Sequence, residues 1–72
     1  MNTLKTIRIH LDEQAQDLPA GTTLADLVAQ QGHEPSAVST AVNGDFVARA
    51  QRAGRVLAEG DQVLLFQPIV GG

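Results

Sequence analysis

This sequence predicts a two-layer α+β domain: a sheet of about five short strands with one main helix packed on one face. Three observations lead there. Apolar and polar residues alternate in several short runs, each closed by glycine, proline or an Asn-Gly pair, which is the pattern of half-buried strands. Only the stretch from Thr23 to Gln31 switches to a helical period. The resulting order is β-β-α-β-β-(short turn)-β, and a single helix can cover only one face of such a sheet.

The chain has 72 residues, one small domain with no internal repeat, linker or low-complexity stretch. A hydrophobic fraction of 43% with 18% charged residues is that of a folded domain and not a disordered one. There is no cysteine, so disulfides, thiolate nucleophiles and cysteine metal sites are excluded. A net charge of −3 is the wrong sign for binding nucleic acid or an anionic membrane. No apolar run approaches the ~20 residues of a membrane span, and Met1-Asn2-Thr3-Leu4-Lys5 does not open a signal peptide. A cytoplasmic protein, monomeric when free, is the expectation.

Lys5 to Leu11 places Ile7, Ile9 and Leu11 on one face and Thr6, Arg8 and His10 on the other, a half-buried strand. Asp12-Glu13 is a turn, and Gln14 to Leu18 a polar return strand expected at a sheet edge, ended by Pro19-Ala20-Gly21. Thr23 is placed to cap the helix, with Asp26 reaching back to it. Leu24, Leu27 and Val28 then form an apolar stripe, and Gly32 and Pro35 stop the helix. Val38 to Val42 is the next strand, and Asn43-Gly44 is the strongest short-range hairpin signal available. Asp45 to Ala48 returns, and Arg49 to Ala53 makes a brief helical turn closed by Gly54. Val56 and Leu57 add apolar bulk, Glu59-Gly60-Asp61 turns, and Gln62 to Phe66 is the last strand. The first and last strands carry the strongest apolar signal and are expected at the centre of the sheet.

The last strand is followed almost at once by two glycines, Gly71-Gly72. With glycine at about 7% of positions, such an ending arises in roughly 0.5% of chains by chance. The predicted division is a folded domain over residues 1–66 and a flexible C-terminal tail over 67–72. Extended, that tail reaches at most about 20 Å, enough to carry the Gly72 carboxylate into another protein's cleft. Gln67, Pro68, Ile69, Val70 and Gly71 are its stem. If Val63 and Leu65 face the helix, Leu64 and Phe66 face the uncovered side, an apolar docking patch beside the tail.

Inside the domain nothing reads as catalytic, and no metal site is predicted. His10 and His33 have no triad or ligand neighbours in the pattern. The carboxylates fall in turns and at the helix start, where they solvate and cap. Arg49, Arg52 and Arg55 read as a solvated basic ridge, and no phosphate-binding glycine loop occurs. The remaining reactive group is the Gly72 carboxylate, ionised at neutral pH and a poor electrophile until activated, most simply as an acyl-adenylate. Glycines without a Cβ can thread a narrow channel towards a nucleotide.

The hairpin Ala41-Val42-Asn43-Gly44-Asp45-Phe46-Val47-Ala48-Arg49, the turn Glu59-Gly60-Asp61, and Val63-Leu64-Leu65-Phe66 followed by Gly71-Gly72 resemble the ThiS family, the sulfur carriers of thiamine biosynthesis. The resemblance runs through essentially the whole chain. It implies a ubiquitin-like β-grasp fold with a mixed sheet, and a carrier that is not itself an enzyme. It implies an E1-like adenylyltransferase (ThiF-like) that uses ATP and magnesium to adenylate Gly72. A persulfide donor then supplies sulfur to give a thiocarboxylate, and a thiazole synthase (ThiG-like) takes that sulfur. Gly71 and Gly72 match the family's terminal pair, and Leu64 and Phe66 its apolar partner-facing surface. Pro68, and Ala48 before Arg49, depart from many members. A tail proline also occurs in the related small subunit of molybdopterin synthase (MoaD), which is typically longer. A ubiquitin-like modifier joined to lysines through Gly72, or an interaction module with an inert tail, completes the alternatives.

Overall fold

The computed structural model describes residues 5–67, with strands β1 (Thr6–Leu11), β2 (Gln14–Pro19), β3 (Ser39–Val42), β4 (Asp45–Val47) and β5 (Gln62–Phe66) around one α-helix, α1 (Leu24–Gln30). Two 3-10 helices, Pro35–Ala37 and Arg49–Gly54, fill the connections. The first of these is absent from the sequence reading. The expected stem and end of the tail, Pro68 to Gly72, lie outside the described residues.

The sheet has five strands in the order β2-β1-β5-β3-β4. β1 with β2, β3 with β4 and β3 with β5 are antiparallel, whereas β1 and β5 run parallel. The last strand is thus central with the first beside it, and polar β2 lies at an edge, all as the apolar patterning predicts. A parallel neighbour requires a crossover, and α1 lies within it.

The alternation of the sequence is realised face by face. Ile9, Leu11, Leu18, Val42, Val47 and Val63 point to the covered side and meet Leu24, Leu27 and Leu57 in one buried cluster, with Ile7 and Leu65 packed against it. Val56 departs from the expectation of apolar bulk. It pairs by an isolated bridge with Thr23 and leaves its side chain exposed, while Leu57 alone turns inward.

Helix α1 is seven residues long, too short to persist without packing. Its ends are well satisfied. Thr23 Oγ1 accepts from the Asp26 N–H at 3.1 Å, and Asp26 Oδ2 accepts from the Thr23 N–H at 3.2 Å, a complete capping box. At the other end the Gly32 and His33 N–H groups donate to Ala29 and Val28, with Gly32 at φ +80°. That is a Schellman closure, which needs the left-handed conformation glycine supplies. The β3–β4 turn has Asn43 at φ 54° and Gly44 at φ 86°, the type I′ signature of a two-residue hairpin.

Candidate functional site

The register across the open face decides which side chains share it. Leu64 of β5 lies opposite Ala41 of β3, and Ala41 lies opposite Phe46 of β4. Phe66, the last residue of β5, lies opposite Ser39. Leu64 is 46% exposed and Phe66 44%, although both sit in the central strand of the sheet. Among the described residues no helix covers this face, so alternation leaves them in solvent. Phe46 is 66% exposed and extends the apolar strip by one strand. The sequence reading missed it, although a signal was present: in Asp45-Phe46-Val47 only one of the two apolar neighbours can face the core.

The other half of the same face is polar. Arg8 of β1 stands opposite Asp17 of β2, and the guanidinium donates to the carboxylate at 2.8 Å and 3.3 Å. Through that hydrogen bond Arg8 holds the Asp17 carboxyl below the ordinary range, and Asp17 raises the guanidinium in return. His10 lies beside Gln62 on this face and is exposed. β5 therefore divides the face, with an apolar strip towards β3 and β4 and charged residues towards β1 and β2.

β5 also leads directly into the predicted tail. The paired residues of β5 run to Phe66, and Gln67 is exposed and without regular structure. The apolar strip, the end of the central strand and the root of the tail thus occupy one region.

The sequence model of the ThiS family matches residues 2–72 of this chain. The chain belongs to the ThiS family. It is 36% identical over 66 residues to the sulfur carrier protein ThiS of Escherichia coli (strain K12), covering 92% of this chain and 100% of that one. A crystal structure of the thiamine biosynthesis protein ThiS from Geobacter metallireducens superposes with a TM-score of 0.75 at 17% identity. That match covers 92% of this chain and 100% of the Geobacter chain, and it speaks to the fold. A five-stranded mixed sheet with one main helix is the β-grasp of ThiS.

Elsewhere in this ThiS-family chain one charged side chain has a structural role. The basic ridge is corrected by the structure. Arg49 is exposed and Arg55 half-buried, but Arg52 is only 4% exposed. Its Nε donates to Thr40 Oγ1 at 3.1 Å, Nη1 to the Pro35 carbonyl at 2.9 Å and Nη2 to the Val38 carbonyl at 2.6 Å. Thr40 in turn donates to the Val47 carbonyl at 2.9 Å. Burial, and then the neighbouring Arg49 charge, push the Arg52 pKa below the usual guanidinium value. The side chain ties both 3-10 helices to β3. Spacing alone could not reveal this, because the cover over Arg52 comes from residues distant in sequence.

An open groove of about 450 Å³ beside β4 is lined by Asp45, Phe46, Gln51 and Arg55 among others. Its carboxylate and guanidinium do not form a paired acid and base. Among the described residues, no three His, Asp or Glu side chains gather where they could hold a metal ion. No helix among them is long and apolar enough to cross a membrane.

Proposed function

We propose that this chain is the sulfur carrier of thiazole formation in thiamine biosynthesis, a protein co-substrate whose working atom is the Gly72 carboxyl carbon. The observation that carries the reading is the match to the ThiS family through residues 2–72, which includes Gly71 and Gly72. The exposed strip on the strand that leads to those residues supports it.

In this reading an E1-like adenylyltransferase binds the carrier through Leu64 and Phe66 and receives Gln67, Pro68, Ile69, Val70 and Gly71 in a narrow channel. A Gly72 carboxylate oxygen attacks the α-phosphorus of magnesium-bound ATP, releasing pyrophosphate and forming the acyl-adenylate. A persulfide sulfur then attacks the carbonyl carbon and AMP leaves. A thiol cleaves the sulfur–sulfur bond by exchange, taking the donor's sulfur into a disulfide and freeing the thiocarboxylate. A thiazole synthase accepts that sulfur and the carrier returns to its carboxylate. The domain's part is positional: it anchors a stem whose glycines let the backbone approach the nucleotide, and Pro68 reduces the entropy lost on insertion.

Intact-protein mass spectrometry tests this. After incubation with the adenylyltransferase, ATP, magnesium and a persulfide donor, the chain is expected to gain the difference between one sulfur and one oxygen. Removing Gly72 is expected to abolish the gain without changing the fold. An unchanged mass for the full chain with competent partners would overturn the reading, and isopeptide-linked products would indicate a protein modifier instead.

A further inference from the structure

Outside glycine, the described residues with left-handed backbone are Asp12, at φ 57°, and Asn43, at φ 54°. They lie in two turns that face opposite ends of β5, and each bonds that strand twice. The Asn43 N–H donates to the Gln62 carbonyl at 2.7 Å, and Asn43 Oδ1 accepts from the Gln62 N–H at 3.0 Å. The Asp12 N–H donates to the Val63 carbonyl at 2.8 Å, and Asp12 Oδ1 accepts from the Leu65 N–H at 3.4 Å. Glycine takes such a backbone conformation with less strain, so the turns themselves do not require a side chain. What Asp12 and Asn43 add is an acceptor aimed at the terminal strand.

The two clasps differ in what they hold. β1 ends at Leu11, opposite Val63, so no β1 backbone group lies in register with Leu65. In β5 the even-numbered residues bond towards β3 and the odd-numbered ones towards β1, which leaves the Leu65 N–H facing the space beyond β1. The Asp12 carboxylate fills that place and adds one rung to a parallel ladder that has run out of strand. Its contact is longer than the usual ~2.9–3.0 Å of an N–H···O bond. On its β1 side the strand is therefore held more closely at Val63 than at Leu65, while on the other side β3 pairs with it through Phe66.

We propose that Asp12 is a positioning residue for tail presentation. Its carboxylate secures the β1 side of the strand end, which β3 pairs on the other side through Phe66, and so helps set the point and direction at which the chain leaves the domain. This rests on the sulfur-carrier reading above. The consequence is a smaller loss of freedom when the adenylyltransferase binds, because the docking residue Phe66 and the root of the stem are already in line.

Glycine substitutions isolate the acceptor, because they keep the left-handed turn and remove only the side chain. Asp12→Gly is expected to speed amide hydrogen exchange at Leu65 roughly fivefold relative to Val63, as loss of one modest hydrogen bond allows. It is also expected to raise the KM for the carrier in adenylation roughly three- to tenfold with kcat unchanged. Asp12→Asn retains Oδ1 and a tolerated backbone, and should restore both. Asn43→Gly is expected to lower thermal stability and speed exchange at Gln62 while leaving the KM unchanged. Unaltered Leu65 exchange in Asp12→Gly, or an equal rise in KM in Asn43→Gly, would overturn the proposal. If the unmodified chain were never adenylated, the carrier reading would fail by itself, and Leu65 exchange would still decide whether the clasp holds the strand.

Discussion

Neighbouring residues of β5 occupy opposite environments. Val63 has no exposed surface, while Leu64, next in the chain, leaves nearly half of its surface in water. Leu65 returns to the core and Phe66 to solvent. Four consecutive apolar residues therefore divide between two tasks. On the covered face apolar area is removed from water and stabilises the fold, at about 25 cal/mol per Å². On the open face the same kind of area stays hydrated and is available to a partner. Hydrophobicity by itself does not distinguish these roles; the position of α1 does.

The covered side is the more sensitive to substitution. Leu27→Ala removes a fully buried side chain and is expected to cost about 2–5 kcal/mol. In a domain this small that is a large part of the total, and a urea titration should show the midpoint collapse. Next is Arg52→Ala, which leaves Thr40 Oγ1 and the Pro35 and Val38 carbonyls without their shared donor. A loss on the order of 3 kcal/mol is expected, against less than about 0.5 kcal/mol for Arg49→Ala at the exposed end of the same turn. Equal losses from the two arginines would show that the buried one contributes nothing special.

The open face should respond in the reverse sense. Phe66→Asp is expected to cost about 1 kcal/mol or less of stability, yet to raise the KM in adenylation at least about tenfold, as loss of an apolar anchor does. A large fall in thermal midpoint with unchanged KM would mean that Phe66 belongs functionally to the core.

The smallest effect belongs to the polar half of that face. Because Arg8 depresses the Asp17 pKa in the folded state, the pair contributes stability above the unfolded value of about 3.9. That contribution is lost as pH falls through the lower, folded value. Both side chains are well exposed, so salt should screen it. Asp17→Asn is expected to flatten stability slightly between neutral pH and that acidic window, and identical acid titrations of the two proteins would refute the assignment.

Much of this architecture was legible because short-range chemistry agrees with the fold. Asn43-Gly44 specifies a hairpin through left-handed backbone, and Thr23 with Asp26 specifies a helix start through two reciprocal hydrogen bonds. The exposure of Leu64 and Phe66 followed from strand period and the count of helices. Arg52 was misread because its spacing with Arg49 and Arg55 carries no information about what lies above it. Local alternation exposes Phe46, but its place in the strip comes from register with Ala41. The two hydrogen bonds between Asp12 and β5 join residues more than fifty positions apart, which local pattern cannot express.

The order of the strands and the main helix, the caps and turns and the alternation within each strand are written in the sequence, since each depends on residues a few positions apart. The burial of one arginine out of three, the reach of the apolar strip and the bonding on the β1 side of the end of β5 emerge only in the folded molecule. Those depend on parallel pairing of the first strand with the last and on cover by distant loops, which exist only once the chain has closed on itself.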